Sequence, residues 1–331
     1  MKKILILANS SGGLYDFRND FVLGLLKDYE VYVSLPDEVK TKELAEEGCK
    51  IIKTPINRRG VNPVEDFKLF LTYRRLMKEI KPDLVATYTI KPNIYGGMAA
   101  RSRKIPYIET ITGLGGAFDR KGLFLKLIVT LYRIGMKKAE CIFFQNRENR
   151  QIFRDFGIKG KSECLVNGSG VDLIRHTFEP YQTDEKCQFL FVGRVMKERG
   201  ITEFLEAAKK LHNENTEFAI LGYCDEDYQQ QLDELEKQGV ITQLGFHTEV
   251  HPYLKAAGAI VIASFHEGMS NALIEAAATG RPVIASRISG CREAFEEGIT
   301  GFGFTPGKSE ELIAAMEQFL SLPLKERAKM G

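Results

Sequence analysis

G-A-I-V-I-A-S-F-H-E-G-M-S-N-A-L-I-E, residues 258–275, holds the reading that decides the fold of this chain. Its first six residues are an unbroken apolar run of strand length, which reads as a buried strand. Ser270 or Asn271 can cap a helix, and residues 272–279 are rich in good helix formers. The segment is therefore one βα unit. Glu267 sits on the loop at the strand's carboxyl end, where open α/β sheets bind ligands, and Glu275 lies about one turn inside the helix. Between them the backbone N–H groups of Gly268, Met269, Ser270 and Asn271 point outward at a helix N-terminus, a setting that suits phosphate. One short segment can thus hold a hydroxylated group, an anion and a second hydroxylated group in line, the outline of a nucleotide-sugar. Glutamate near a helix start is also commonplace, because it complements the helix dipole. The spacing needs company before it carries function.

That company stands upstream. Residues 188–192 form another short apolar strand, which runs into G-R-V-M-K-E-R-G (residues 193–200) before a helical pattern at 201–211. Gly193 permits a tight turn, and Arg194, Lys197 and Arg199 place cations beside it. Arginine grips phosphate bidentately, so this loop reads as a diphosphate clamp, the alternative being solvated loop charge. A further loop, L-G-F-H at residues 244–247, closes a strand where its backbone groups can read a base.

The same strand–helix alternation recurs outward from these motifs. Residues 4–8, 31–35, 51–54, 84–87, 107–110, 141–145 and 164–167 are short apolar runs. Helical patterns at 19–27, 64–79, 93–103, 122–137 and 147–156 separate most of them, which predicts βαβ units and a parallel sheet. The pattern breaks at residues 173–186, with Pro180, Thr183, Asp184 and Glu185, and this stretch reads as a linker. A second series follows at 188–192, 217–221, 240–242, 259–263 and 282–285. For 331 residues the expectation is two domains, 1–180 and 181–331, each α/β and Rossmann-like with a parallel sheet, facing one another across a cleft that holds the ligand.

Composition narrows the class. The chain is 44% hydrophobic and 27% charged, as a soluble globular protein is. Its six cysteines are scattered without a C-x2-C pair, so neither a zinc site nor a disulfide framework is expected. Residues 4–8 already read as a first strand, leaving no room for a signal peptide, and no run approaches the roughly 18 apolar residues of a membrane span. Reduced, cytoplasmic surroundings are expected. The net charge of +2 hides an asymmetry: residues 1–180 carry 31 Lys and Arg against 21 Asp and Glu, whereas residues 181–331 carry 15 against 23. Cations are densest between Arg101 and Lys138, interleaved with residues 123–136, of which ten in fourteen are apolar. Such a segment is either a membrane-surface helix or a core helix with snorkelling lysines. No nucleic-acid-binding motif accompanies it.

G-R-V-M-K-E-R-G followed by E-G-M-S-N-A-L-I-E resembles the C-terminal half of the family-4 retaining glycosyltransferases of the GT-B fold. The first half is similar to a subgroup that makes bacterial capsule, exopolysaccharide and glycan-on-lipid intermediates. The similar motifs there are S-S-G-G-L-Y-D-F-R (residues 10–18), T-I-K-P-N-I-Y-G-G (89–97), T-G-L-G (112–115) and N-G-S-G-V-D (167–172). The resemblance implies transfer of a hexose or N-acetylhexosamine from a nucleotide-sugar, usually a UDP-sugar, to a sugar on a polyprenyl diphosphate. The enzyme would be peripheral on the inner face of the plasma membrane. It also implies Glu267, Arg194 and Arg199 as catalytic residues. Donor-binding residues would be Gly12, Gly13, Gly193, Lys197, Phe246, Gly268, Met269, Ser270, Asn271 and Glu275, with Lys91, Asn93 and Thr112 on the acceptor side. No cofactor and no metal are expected. The family's chains continue with a helix that returns to the first domain, and this sequence ends at Gly331 before it.

Two departures bear on mechanism. Many relatives carry a histidine near the reacting sugar, and here Thr112 stands in its place. All five histidines (His176, His212, His247, His251 and His266) lie after residue 170. That favours a step in which the departing diphosphate oxygen takes the acceptor proton, with arginines and helix N-termini stabilising the leaving charge. The first glycine-rich loop, residues 9–13, is not G-x-G-x-x-G, and no acidic residue closes the second strand. A dinucleotide site there is weakly supported, and Gly12 and Gly13 read instead as a close approach to the donor diphosphate or as a simple tight turn. A sugar-nucleotide 2-epimerase would need acid and base side chains that the first half does not offer as histidine. A non-catalytic nucleotide-sugar sensor is the remaining alternative.

Overall fold

In a computed structural model of the protein, residues 1–57, 62–118, 122–182 and 186–331 are described. The chain divides into two compact units, Met1–Ser169 and Gly170–Gly331. The division thus precedes the 180/181 boundary drawn from the sequence.

The first unit runs β1 (Lys2–Leu7), α1 (Ser11–Leu26), β2 (Tyr29–Leu35), α2 (Thr41–Glu46), β3 (Lys50–Lys53) and α3 (Pro63–Ile80). It continues with β4 (Leu84–Tyr88), α4 (Gly97–Ser102), β5 (Tyr107–Ile111), α5 (Leu123–Met136), β6 (Cys141–Phe144), α6 (Arg147–Asp155) and β7 (Glu163–Leu165). The strands pair in parallel in the order β3-β2-β1-β4-β5-β6-β7. Side chains alternate between the two faces of a strand, and helices cover both faces, so both are apolar. Leu5, Leu7, Val85, Tyr107 and Ile111 pack with α3, α4 and α5, while Ile4, Ile6, Val31 and Val33 pack with Leu14 and Val22 of α1. Local chemistry sets the helix ends. Asn62 caps α3 by accepting the Val64 N–H at 3.0 Å, Pro63 opens it, and Lys81 closes it in the left-handed region at φ 54°.

The second unit begins with β8 (Cys187–Val192), α7 (Ile201–Leu211), β9 (Thr216–Leu221), α8 (Gln229–Lys237), β10 (Thr242–Gly245) and α9 (His251–Ala256). It ends with β11 (Ala259–Ile262), α10 (Asn271–Thr279), β12 (Val283–Ser286), β13 (Gly301–Phe304), α11 (Ser309–Ser321) and α12 (Leu324–Met330). Its sheet is also parallel, in the order β10-β9-β8-β11-β12-β13. Phe189, Phe191 and Phe218 interlock with Phe204 of α7 and Phe319 of α11, and Leu190, Ile260 and Ile262 pack with Leu254 of α9 and Leu273 of α10.

Several elements differ from the sequence reading. Helix α1 starts at Ser11 rather than residue 19, because Ser10 caps it by accepting the Gly13 N–H at 3.2 Å. Gly12 and Gly13 therefore lie in a helical first turn and not in a loop. The helix expected at 93–103 is instead a π-helical turn, Pro92–Gly96, followed by α4. Strand β10 begins two residues later than expected, and α2 and β13 were not anticipated. Strand β13 reads G-F-G-F, with a weak strand composition, yet glycine is required there. A Cβ on Gly301 would lie 2.2 Å from the Val283 carbonyl oxygen. Asp119, Arg120 and Lys121 of the basic segment and Thr183, Asp184 and Glu185 of the expected linker lie outside the described residues.

Each sheet has one topological switch point, where strand order reverses and a crevice opens at the carboxyl ends. It falls between β1 and β4 in the first unit and between β8 and β11 in the second.

Candidate active site

The β8–β11 switch point gathers the charged motifs. After β8 the chain turns through Gly193 (φ 144°), whose carbonyl oxygen would sit 1.8 Å from a Cβ on Gly222, the residue that follows β9. Only a glycine at 222 allows the loops after β8 and β9 to lie against one another. Arg194 Nη1 then donates to Asp225 Oδ2 at 2.7 Å across that seam. Residues Lys197–Arg199 form one 3-10 turn, closed by Gly200 at φ 73°. A Cβ on Gly200 would lie 2.2 Å from the Ala263 carbonyl oxygen, so this glycine seats the β8 loop on the end of β11. The Phe265 N–H donates to the Glu198 carbonyl at 3.0 Å and fastens the same seam.

The consequence is a preformed pair. Arg199 Nη1 donates to Glu267 Oε1 and, at 3.3 Å, to Ser264 Oγ, while Ser264 Oγ donates to the same Glu267 oxygen at 2.9 Å. The Glu267 side chain is only 11% exposed and that of Arg199 31%. Both arginines, expected as cations open to a diphosphate, thus have carboxylate partners already. Arg199 fixes the orientation of Glu267 as much as it offers charge. Lys197 is exposed, and its backbone N–H donates to Glu226 at 2.8 Å. Behind the pair, burial pushes the Cys291 thiol well above its ordinary value, and Glu267 adds to the shift. That thiol is no nucleophile.

Helix α10 begins as the sequence suggested, with a correction to its donors. Ser270 occupies the cap position but makes no side-chain cap, and its N–H donates to the Gly290 carbonyl at 2.8 Å instead of pointing outward. Gly290 sits at φ 88°, and a Cβ there would meet the Gly268 carbonyl at 2.6 Å. Met269 is buried, and Asn271 Oδ1 is buried without a hydrogen-bond partner among the described residues. Glu275 is one turn further along, its side chain 14% exposed. At the ends of β9 and β10, Tyr223 and Phe246 are exposed aromatics packed edge to face with centroids 5.9 Å apart.

The β1–β4 switch point is different in kind. Gly13 spends its N–H on the Ser10 cap, and Ser11 donates through N and Oγ to Asp37. Lys91, after β4, donates from Nζ to Asp66 Oδ1 at 2.6 Å, both groups being nearly buried. Asn93 is buried: its Oδ1 accepts from Thr87 at 2.6 Å and its Nδ2 donates to the Thr110 carbonyl at 3.0 Å. It ties β4 and β5 to the π-helical turn and shapes the loop. Gly96 and Gly97 follow because a Cβ on either would collide, at 2.6 Å with Leu7 and at 2.2 Å with Glu109. Thr112 is half-buried just past β5.

Helix α5 packs Ile128, Val129, Tyr132 and Met136 on the core and leaves Leu123, Leu127 and Ile134 exposed on its other edge. Two cations of the basic segment donate to carbonyls at helix ends, Arg101 to that of Ile134 and Arg133 to that of Phe156. Lys126, Lys137 and Lys138 are exposed. Among the described residues no helix is long and apolar enough to cross a membrane.

The partners that hold the arginines, Asp225 and Ser264, were missed in the sequence. Asp225 follows the end of β9, so the rule that sites gather at strand carboxyl ends was the available signal.

A family model of glycosyl transferases group 1 matches residues 186–321, and one of glycosyl transferase 4-like proteins matches residues 3–146. The chain belongs to this glycosyltransferase family. It is 27% identical to the N,N'-diacetylbacillosaminyl-diphospho-undecaprenol alpha-1,3-N-acetylgalactosaminyltransferase of Campylobacter jejuni, over 90% of this chain and 84% of that one. It is 28% identical to the UDP-Gal:alpha-D-GlcNAc-diphosphoundecaprenol alpha-1,3-galactosyltransferase of Escherichia coli, over 70% of this chain and 65% of that one. The structure of Anabaena HepE in complex with UDP and glucose superposes with a TM-score of 0.79, covering 100% of this chain and 92% of that one at 18% identity, a likeness of fold. The fold class is GT-B, and the protein is a glycosyltransferase. Neither the epimerase nor the sensor reading finds support among the relatives.

Proposed function

We propose that this glycosyltransferase moves a hexose or N-acetylhexosamine from a UDP-sugar, with retention, to a sugar on a polyprenyl diphosphate in bacterial surface glycan synthesis. The observation that carries the reading is the Arg199–Glu267 pair beside the start of α10 at the β8–β11 switch point. The relatives named for diphospho-undecaprenol-linked acceptors support the acceptor class. In this reading Glu275 binds the ribose hydroxyls, and the Tyr223–Phe246 pair offers the base an aromatic surface. Gly193, Arg194, Lys197, Arg199 and the α10 N-terminus face the diphosphate. Glu267 faces the donor sugar. The bond from sugar C1 to the diphosphate breaks, the acceptor oxygen bonds to C1, and the acceptor proton passes to the departing diphosphate oxygen. The cations carry the developing charge, so no metal is required. Lys91 and Thr112 stand on the acceptor side.

Calorimetry with UDP and GDP tests the donor. UDP should bind at least tenfold tighter, and the reverse order would remove the uridine reading. Radiolabelled donor then distinguishes transfer to a lipid-linked acceptor from transfer to a soluble glycan.

We also place the enzyme at the cytoplasmic membrane face, as a peripheral protein. The exposed edge Leu123, Leu127 and Ile134 of α5, with Lys126, Lys137 and Lys138, supports this. Each lysine near an anionic leaflet contributes roughly 1 kcal/mol. Anionic vesicles should therefore sediment the protein at low salt and release it near 1 M, where the Debye length is about 3 Å. The triple change of these lysines to glutamate should abolish recruitment. Equal recruitment to zwitterionic vesicles would sink the membrane reading.

A further inference from the structure

We propose that the first unit carries a phosphate site at the end of its sheet opposite the crevice, a cavity between α3 and α4 that takes the terminal phosphate of an anionic lipid. This rests on the membrane reading above and adds to it a selective site on a different helix. In a βαβ unit the helix carries the chain back, so its last turn stands at the amino ends of the strands. Helix α3 ends at Ile80, just before β4, and α4 ends at Ser102, just before β5. Arg103 closes α4, its N–H donating to the Ala99 and Ala100 carbonyls at 3.1 Å, and Lys104 turns the chain away at φ 60°. A cavity of about 520 Å³ opens there, lined by Leu71, Arg74, Arg75, Lys78, Glu79 and Arg103.

The lining sets four cations against one acid, and Glu79 already stands 3.5 Å from Arg75 Nε. Arg74 lies over the Phe70 ring at 5.7 Å. Its Nε and that of Arg103 are both buried without a hydrogen-bond partner among the described residues. Cations in a last turn complement the helix dipole, but that reason would leave the guanidinium groups in solvent. Two buried charged donors in one cavity call for an acceptor. The guanidinium fork matches phosphate, and a terminal phosphate offers three free oxygens, enough for both arginines and Lys78 at once. A phosphodiester offers two. The rest of α3 indicates what carries the phosphate. Val64, Phe67 and Leu71 are exposed at spacings of three and four residues, one apolar stripe that Arg74 and Lys78 continue. A helix lying at a membrane surface presents such a stripe to acyl chains, with its cations at the headgroups. A free phosphate has no use for the stripe.

Co-sedimentation of the full chain tests this, comparing vesicles of phosphatidic acid and of phosphatidylglycerol in zwitterionic lipid at matched surface charge. The parent should bind phosphatidic acid roughly tenfold tighter, the scale of one charge-assisted hydrogen bond. Arg74→Lys with Arg103→Lys keeps both charges and loses the forks. It should bind phosphatidylglycerol as the parent does and lose the preference. Arg74→Gln with Arg103→Gln, folded to the parent melting temperature, should lose it as well. Equal recruitment to purely zwitterionic vesicles would sink the membrane reading itself. Recruitment to both anionic lipids without preference in the parent, a comparison that needs no variant, would leave that reading standing and overturn the site. Survival of the preference in both double variants would overturn it too. Inorganic phosphate and dihexanoyl-phosphatidic acid are then added as soluble competitors. Phosphate that competes as strongly as the short-chain lipid would reassign the cavity to a free anion and overturn the lipid.

Discussion

The two switch points share a topology and differ in where their polar side chains go. At β8–β11 the loops are held by glycine backbones pressed onto neighbouring carbonyls, and charged side chains stand at the surface of the crevice in matched pairs. At β1–β4 the polar side chains turn inward: Asn93 bridges Thr87 and Thr110, Lys91 meets Asp66, and Ser11 meets Asp37. Under the proposed function the difference has a reason: gripping a diphosphate needs preorganised charge, which pairing each arginine with a carboxylate keeps in one geometry, whereas receiving a neutral hydroxyl needs shape. One βα framework can serve both because strand ends fix positions while loops choose chemistry.

The largest expected effect tests this division. Arg199→Ala strands Glu267, nearly buried, without its charged partner and, in the proposed function, removes a diphosphate cation. The loss in kcat/KM should be on the order of a hundred- to a thousandfold, the scale of one donor to a developing oxyanion. Arg194→Ala should follow at somewhat less, because the Arg194–Asp225 pair is more exposed. In the first unit Thr112→Ala should cost less than about tenfold, since that position is asked for one weak polar contact. Steady-state kinetics on saturating acceptor decides it. Should Thr112→Ala lose as much as Arg199→Ala, the first unit carries chemistry and the division between charge and shape is wrong.

Much of this was legible in the sequence. Short apolar runs alternating with helical patterns marked the two parallel sheets, and the residues from Gly193 to Gly200 and from Glu267 to Glu275 fell at the carboxyl ends of adjacent strands. What escaped depends on partners distant in sequence. The Arg199–Glu267 pair spans two motifs read separately, and Asp225 comes from a third loop. Strand β13 escaped because its glycines answer to the Val283 carbonyl and not to strand propensity. Helix α1 was begun too late because Gly12 and Gly13 read as loop, although Ser10 caps a helix there. The boundary near residue 170 escaped because the turn that holds His176 is fixed by Arg175 against Glu249, far along the chain.

Glycines sharpen the comparison at intermediate size. Gly200→Ala would place a methyl group against the Ala263 carbonyl at a backbone angle that L residues avoid, for roughly 1–3 kcal/mol of strain. It should lower both stability and turnover by moving the β8 loop off β11. Gly13→Ala meets only ordinary contacts, the nearest being Ser10 Cβ at 3.5 Å. Within a helix it should be neutral or stabilising by up to about 1 kcal/mol. Denaturation curves and turnover are to be measured together. A Gly13→Ala enzyme that is stable yet inactive would show that substrate approaches this turn closely, restoring the reading of the loop as a ligand contact.

The smallest effect concerns a carboxyl group that, unlike Glu267 of the second unit, is buried without a cation beside it. Glu109 of β5 is 0% exposed, lies against Gly97, and neither of its oxygens has a hydrogen-bond partner among the described residues. Burial raises its pKa well above the ordinary value, so the folded chain keeps it protonated. The sign follows from linkage. Below the unfolded-state pKa both states are protonated and Glu109 has no effect on the pH dependence. As pH rises past that value the unfolded chain releases the proton while the folded one holds it, so the unfolded state gains and stability falls until the folded pKa is passed. A salt-bridged carboxylate behaves in the opposite way. Glu109→Gln keeps the shape and cannot ionise, so it should raise the melting temperature at pH 8 and change it much less at pH 5. Thermal unfolding across that range checks it. A variant equally shifted at both pH values would mean that Glu109 is held by packing alone, and that its protonation plays no part in the first unit's stability.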